Sequence, residues 1–376
     1  MSKIYFLSGL GQGGAERQVV QIADLLNNTE NIIKIITYDT SKAFYNSATN
    51  VDIIDLKPSK NTFFPKVTAF FNMRKIIKKE KPEFVISYVT KLNLFLGFVA
   101  ISILNKHTIF IGSERNSRLY YDEKLLWRVM TRIGYKGLDG LITNNYLAIE
   151  KIYKNIPSFK LRTLYMPNYI NLDTFNSNDV QKKYSLRNKV INIMVPGRVT
   201  NQKNQLTLVP IAKLLKKEKI QFNFNLVGSI DDKKYVDSLV EYIDYNECTS
   251  EFTISGVVKE MSNTYNNSDI IMLPSLYEGF PNVILEAMSC GKLCIVSNKI
   301  DSLKNIIVNS ENGFFINFDN KIEVVDLIKS LIQKDDHFWK KISANSVAAV
   351  KKLTGNSYYN IFMSSIVKIK DIKNEK

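Results

Sequence analysis

Two cations separated by five positions, Arg198 and Lys203, follow a run at 190–195 that reads as a buried strand ending in Pro-Gly. Gln205 and Leu206 read as the start of a helix whose N-terminus faces the same space. A planar guanidinium fork and an ammonium point charge beside a helix start suit a diphosphate. The plainer reading of the same residues is two solvated surface cations. A second group lies in "PSLYEGFPNVILEAMSCG" (274–291), where a strand ends at Pro274 and the loop Glu278-Gly279-Phe280-Pro281 leads into a helix. Glu278 sits in that loop and Glu286 one turn inside the helix. The N–H groups at Phe280, Asn282 and Val283 precede the first intrahelical hydrogen bonds, and the half-charge at the helix start favours an anion. Acids on either side of an anion-binding helix start suit a ligand carrying both phosphates and hydroxyls, which describes a sugar nucleotide. Between these groups, Gly228 permits a sharp turn after a strand. The loop 256–259, with Gly256 and Val258, offers backbone donors and acceptors of the kind that hold a base edge.

A different chemistry is spelled near the start, where "SGLGQGGAERQ" (8–18) contains G-x-G-x-x-G at Gly9, Gly11 and Gly14. A strand at 3–7, a helix from Ala15 to Leu26, a second strand at 32–38 and an acid at Asp39 supply the neighbours of a dinucleotide fingerprint. At this point an NAD-dependent oxidoreductase stands as an open alternative.

The elements that must position these residues alternate along the chain. Strand patterns at 3–7, 32–38, 51–54, 84–87, 108–112, 139–143 and 162–166 are separated mostly by helical stretches, the rhythm of right-handed βαβ units on a parallel sheet. The texture turns polar and Asn-rich at 168–185, a linker, and a second α/β run follows with strands at 190–195, 222–227, 252–254, 270–273 and 293–296. The fold expected is α/β, two Rossmann-like domains facing a central cleft: 1–176, 177–355, and a terminal helix at 356–376 with no strand to serve. The 376 residues suffice for two cores. The largely apolar stretch 92–104 is too short to span a bilayer, and the chain opens directly on a strand pattern without a leader. Cys248, Cys290 and Cys294 form neither a disulfide framework nor a zinc site; the last two read as a helix end and the next strand. These features together give a cytoplasmic expectation. The net charge of +15 is uneven: residues 1–166 carry 24 Lys/Arg against 13 Asp/Glu, and the remainder 27 against 23. The first half therefore attracts something anionic. Its segment 63–82, "FFPKVTAFFNMRKIIKKEKP", has the composition of a helix on an anionic membrane surface, or of an ordinary amphipathic helix with a basic face. No nucleic-acid module is recognisable, so no nucleic-acid partner is expected.

Taken together, "GGAER" (13–17), "PNYINLDTF" (167–175), "GRVTNQKNQ" (197–205) and "EGFPNVILEAMSCG" (278–291) resemble the retaining glycosyltransferases of family four, with the GT-B fold. With "SERN" (113–116), the chain is most similar to bacterial capsule, O-antigen or exopolysaccharide transferases. The resemblance implies a sugar moved from a nucleotide-sugar, with UDP expected, to a saccharide or polyprenyl-diphosphate-linked saccharide at the cytoplasmic face of the inner membrane. It implies that Arg198 and Lys203 bind the leaving diphosphate and that Glu286 holds the ribose hydroxyls. Glu278 faces the donor sugar, supporting the positive charge that develops at the anomeric carbon. Backbone at 279–283 (Gly279, Phe280, Pro281, Asn282, Val283) holds sugar and phosphates, and the loop with Gly256 and Val258 holds the base. Gly13 and Gly14 let backbone approach the phosphates, and the terminal helix crosses back to the N-terminal domain. Retention through front-face attack needs no protein nucleophile, and with no Asp-x-Asp pair and only His107 and His337, no metal or other cofactor is expected. Many family members place a histidine after the strand that ends here in Glu114-Arg115-Asn116; Arg115 and Asn116 take its place as acceptor-side candidates, or Arg115 is held in a structural salt bridge. A sugar-nucleotide epimerase and a non-catalytic nucleotide-sensing or membrane scaffold protein complete the alternatives.

Overall fold

The computed structural model describes residues 1–375 apart from 12, 46, 48, 58–63, 104–106, 116–124, 172–184 and 259. The chain divides into two units, Met1–Tyr169 with Leu353–Lys376, and Ile170–Lys352.

In the first unit, β1 (Lys3–Leu7), α1 (Gly14–Asn27), β2 (Ile32–Thr37) and β3 (Asp52–Asp55) open the chain. They are followed by α2 (Pro65–Glu80), β4 (Phe84–Tyr88), α3 (Thr90–Ile103), β5 (Ile109–Glu114), α4 (Leu125–Tyr135), β6 (Gly140–Thr143), α5 (Tyr146–Asn155) and β7 (Thr163–Tyr165). The strands form one parallel sheet in the order β3-β2-β1-β4-β5-β6-β7. Alternation along β1 explains the two layers. Ile4 and Phe6 join a core with Val19, Ile22 and Leu26 of α1, whereas Tyr5 and Leu7 join one with Met73 and Ile77 of α2 and Leu96 and Val99 of α3. α4 approaches α3 unusually closely, because a Cβ at Gly97 would collide with the backbone of Gly134, and one at Gly137 with the backbone of Gly97.

The second unit carries β8 (Ile191–Pro196), α6 (Leu208–Lys217), β9 (Phe222–Val227), α7 (Lys233–Tyr245), β10 (Phe252–Gly256) and α8 (Met261–Asn266). It continues through β11 (Ile270–Leu273), α9 (Asn282–Ser289), β12 (Leu293–Ser297), β13 (Phe314–Ile316), α10 (Lys321–Ile332) and α11 (Asp336–Lys351). Its parallel sheet runs β10-β9-β8-β11-β12-β13. The direction of winding reverses between β8 and β11, and ligands of such sheets bind beyond the carboxyl ends of strands at that switch point.

The last helix, α12 (Gly355–Asn374), belongs to the first unit as expected. Tyr358, Phe362, Ile366 and Ile369 bury against the α1 face of the first sheet. The Tyr358 hydroxyl donates to the Pro167 carbonyl (3.1 Å), and Lys370 and Lys373 pair with Glu83 (2.7 Å) and Asp139 (3.1 Å). Two expectations need correcting. β13 carries no strand pattern long enough to read in advance. The helix expected at Gln205 instead begins at Leu208, after two single 3-10 turns at Asn201–Lys203 and Gln205–Thr207. The left-handed conformation of Asn204 (φ 58°) separates those turns. No helix among the described residues is long and apolar enough to cross a membrane.

Candidate functional site

Because β8 and β11 are neighbours, the loops leaving their carboxyl ends lie side by side. The Asn204 amide donates to the Pro274 carbonyl (3.2 Å), the Gln202 amide to the Tyr277 carbonyl (3.0 Å), and the Leu276 N–H to the Gln202 carbonyl (2.9 Å). This stitching brings the Lys203 ammonium to 2.7 Å from Glu278 Oε1, with the two side chains only 12% and 10% exposed. Gly197 lies beneath the pair at φ +126°, a conformation that disfavours side chains, and a Cβ there would stand 2.6 Å from Lys203 Cε and 2.8 Å from its Nζ. Gly228, at φ +157°, packs on Gly197 so tightly that its own Cβ would collide with the Gly197 carbonyl. The two glycines are thus required by the path of Lys203 and of the backbone behind it.

Arg198 lies on the same loop after β8 and is exposed, and its carbonyl accepts from the Gln205 amide (2.9 Å). Phe280 and Pro281 are buried, and Gly279, Asn282 and Val283 are half-buried. α9 begins after Pro281 with no side-chain cap, and the Ile284 N–H donates to the Pro281 carbonyl (3.0 Å). Within α9, Glu286 is 3% exposed and accepts from the Tyr265 hydroxyl (3.0 Å), which comes from α8. Tyr265 is a site residue that the sequence patterns did not single out; its place on a six-residue helix ahead of β11 gave no periodic signal. Gly256 (φ +67°) ends β10 with open space where a Cβ would stand, and its carbonyl accepts from the Gly228 N–H (2.8 Å). Val258 follows, half-buried. Lys203 and Glu278 are therefore joined directly with Gly197 behind them, whereas Glu286 is joined to Tyr265. The arrangement offers two cations, a helix start and two carboxylates at one sheet edge, the set that a diphosphate with hydroxylated substituents requires.

The cysteines are buried in the scaffold. Cys290 caps α9 and Cys294 lies in β12, and burial pushes the Cys290 thiol up to about 11 and raises that of Cys294 as well. Neither has the lowered pKa of a reactive thiolate. Among the described residues no group of three or more His, Cys, Asp or Glu could hold a metal ion.

In the first unit the glycine run around the fingerprint (Gly9, Gly11, Gly14) shows no such fit: a Cβ at Gly9 would make only ordinary contact with Glu16 (3.5 Å). A Cβ at Gly13 would collide with the Glu16 carboxylate, which folds back over the start of α1, and Gly14 is the first residue of that helix. A Cβ at Gly11 would meet nothing within 4 Å. Asp39 is committed locally: it accepts from the Ser41 N–H (3.0 Å) and hydroxyl (2.6 Å) and pairs with Lys57 (2.9 Å). The Ser41 hydrogen bonds, then Lys57, hold its carboxyl down to about 2. The dinucleotide reading thereby loses its ribose-binding acid.

Arg115 is 7% exposed and makes no salt bridge among the described residues. Its Nε donates to Ser113 Oγ (2.6 Å), its NH1 to Asn168 Oδ1 (2.9 Å), and its guanidinium lies 4.8 Å from the Tyr88 ring centroid. The preceding Glu114 points to the other face of the sheet, where Thr90 (2.7 Å), Asn93 (2.9 Å) and Tyr135 donate to it. Burial still raises the Glu114 carboxyl above its usual range, against those three hydrogen bonds. The salt-bridged role for Arg115 is thus replaced by a hydrogen-bonded one on Asn168. Asn116 lies outside the described residues.

Residues 176–346 match the family described as glycosyl transferases group 1. Over its whole length the chain is similar to the Campylobacter jejuni GalNAc-alpha-(1->4)-GalNAc-alpha-(1->3)-diNAcBac-PP-undecaprenol alpha-1,4-N-acetyl-D-galactosaminyltransferase, at 24% identity over 99% of this chain and 100% of that one. It is also similar to the Escherichia coli UDP-Gal:alpha-D-GlcNAc-diphosphoundecaprenol alpha-1,3-galactosyltransferase, at 25% identity over 96% and 93%. Among solved structures, a glycosyltransferase of Rickettsia africae superposes with a TM-score of 0.80 at 19% identity, covering 98% of both chains. Anabaena HepE, in complex with UDP and glucose, superposes with a TM-score of 0.79 at 14% identity, covering 98% of this chain and all of that one.

Proposed function

We propose that this chain, whose residues 176–346 form a group 1 glycosyltransferase domain, moves a hexosyl or N-acetylhexosaminyl group from a UDP-sugar to a lipid-linked saccharide. It does so at the cytoplasmic face of a bacterial inner membrane, in the building of a surface polysaccharide. The observation that carries the reading is the buried Lys203–Glu278 pair at the switch point of the second sheet, with Arg198 exposed on the same loop as Lys203. The curated relatives, by their names, act on saccharides carried by undecaprenyl diphosphate, and HepE is seen with UDP and glucose.

The reaction we assign retains configuration. The bond between the anomeric carbon and the β-phosphate oxygen breaks, and the departing oxygen keeps the electron pair. Lys203 and Arg198 neutralise the diphosphate as its charge grows, and Glu278 faces the cationic sugar. The acceptor hydroxyl attacks from the face the phosphate leaves, and its proton passes to a phosphate oxygen, so no protein nucleophile is used. Glu286, buttressed by Tyr265, holds the ribose hydroxyls, and the loop at Gly256 and Val258 holds the base. Arg115 and Asn116 serve the acceptor side, and Gly13 and Gly14 let backbone approach the donor phosphates. With two protein cations on the leaving group, catalysis proceeds without a divalent metal.

The test is UDP release from a panel of UDP-sugars in the presence of undecaprenyl-diphosphate saccharides, with and without EDTA, followed by NMR of the new anomeric centre. We expect UDP release that EDTA leaves intact and a product with the donor's α configuration. Inversion or loss of activity in EDTA would overturn the mechanism, and failure to bind any nucleotide-sugar would overturn the function.

A further inference from the structure

We propose that α4, together with the outer stripe of α2, is a docking surface for an anionic lipid bilayer. Four large apolar side chains of α4 stand in solvent: Leu125 is 75% exposed, Leu126 67%, Ile133 46% and Val129 45%. At helical spacing they fall within an arc of about 100°, and the exposed Arg128 and Arg132 adjoin that arc, with Lys136 just past the helix end. The opposite side of α4 is fully used. Thr131, Gly134 and Tyr135 are buried and Trp127 packs into the core, while the Gly97–Gly134 approach leaves no room for the helix to roll its apolar arc inward. On α2, Ala69, Met73 and Ile77 are buried, and Val67, Phe71, Lys75 and Lys78 form the outward stripe, with Phe64 exposed at its start. Phe63 lies outside the described residues.

Charge identifies the occupant. α4 contains no Asp or Glu, and the only acid of α2, Glu80, is already held by Tyr5 and Lys34 (2.9 Å). A second copy of this chain docking through the same face would set Arg128 and Arg132 against their own like charges. Anionic lipid instead accepts apolar side chains at the acyl boundary and phosphates beside the cations. Both helices follow strands of a parallel sheet, so their N-terminal ends, where Phe64, Val67, Leu125 and Leu126 lie, are at the carboxyl edge of the sheet, the edge where ligands of such folds bind. The basic composition of 63–82 pointed to α2; the exposed arc of α4 has no counterpart in that reading. The proposal rests on the membrane-bound acceptor only for its purpose. Flotation needs no sugar, so either can fail while the other stands.

The experiment is flotation of the full chain with phosphatidylglycerol-containing vesicles and with pure phosphatidylcholine vesicles. We expect binding to the anionic vesicles that weakens in high salt. Leu126→Asp with Val129→Asp should lower it at least tenfold, and Arg128→Gln with Arg132→Gln by about fivefold per cation, the latter without effect on neutral vesicles. Unchanged thermal unfolding of these surface variants confirms that they fold. A wild-type chain that stays out of the floating fraction would overturn the proposal. So would an α4 double variant that floats as well as wild type, or one that keeps floating while converting a wild-type dimer into a monomer in sedimentation.

Discussion

Lys203 and Glu278 offer a perturbation whose stability and activity effects should part company. Both side chains are about nine-tenths buried and 2.7 Å apart, and removing one takes from the other its ion-pair partner in a nearly buried place. Breaking such a pair costs about 3–5 kcal/mol when burial is complete; the residual exposure here lowers that to about 2–3 kcal/mol. For a unit the size of Ile170–Lys352 each kcal/mol shifts Tm by about 2–4 °C. Lys203→Met or Glu278→Gln should each therefore lower Tm by about 4–12 °C. The double variant leaves no unpaired charge and should regain most of the loss, with a coupling energy of about 1.5–3 kcal/mol in the cycle. Turnover should behave oppositely. Each single variant loses a group directed at the transition state, about 2–4 kcal/mol or roughly 30- to 1,000-fold in kcat, and the double variant recovers nothing. The assays are calorimetric unfolding of the four proteins without donor and UDP release with it. Additive losses of Tm would refute the buried pair; a double variant with restored turnover would refute its place in the chemistry.

Three further outcomes follow from neighbouring geometry. Gly197→Ala forces a methyl against the Lys203 stem at a φ of +126°, and we expect a loss of about 1–3 kcal/mol in stability with a fall in kcat larger than any rise in KM; unchanged kcat would show that Lys203 is not placed by Gly197. Tyr265→Phe removes the hydroxyl held by Glu286 and should weaken UDP binding in calorimetry by up to about tenfold, leaving kcat at saturating donor within about twofold of wild type. For Glu114, burial raises the folded pKa, so its favourable contribution is complete below the unfolded pKa and is lost as pH rises through the folded one. Glu114→Gln should accordingly raise Tm at pH 8 relative to wild type by more than it does at pH 4.5, and the reverse ordering would show a carboxylate stabilised as the anion.

Local patterns could reveal much of this molecule because its central strands are buried on both faces. Runs such as IYFL and IIKIIT have a texture that neither helix nor loop shares, so the inner strands of the first sheet stand out, while the edge strand β3 (DIID) is short and exposed. β13 escapes because three residues after an Asn-Gly turn carry too little period to separate them from a loop. The delayed start of α6 escapes because the left-handed turn at Asn204 is dictated by a contact with Pro274, seventy positions away. The site divides along the same line. Glycines and cations after strands are visible as types in sequence, and Arg198, Lys203, Glu278 and Glu286 were legible as a set. Their pairing was not: the Lys203–Glu278 contact spans 75 residues and exists only because β8 and β11 are neighbours in the sheet.

The opening glycine run shows why spacing alone misleads. G-x-G-x-x-G requires each glycine to earn its place by a positive φ or a close approach, yet a Cβ at Gly11 would meet nothing within 4 Å and one at Gly9 would make only ordinary contact, at 3.5 Å, with Glu16, the third residue of α1. Asp39, placed where a ribose acid belongs, is consumed by Ser41 and Lys57. Gly197, by contrast, lies outside the G-x-G-x-x-G spacing, but its conformation and the closeness of Lys203 to it tie it to the buried pair. A glycine marks a site when the structure leaves no room for a Cβ beside a group that does chemistry, and in this chain that condition selects the second sheet's switch point over the first loop.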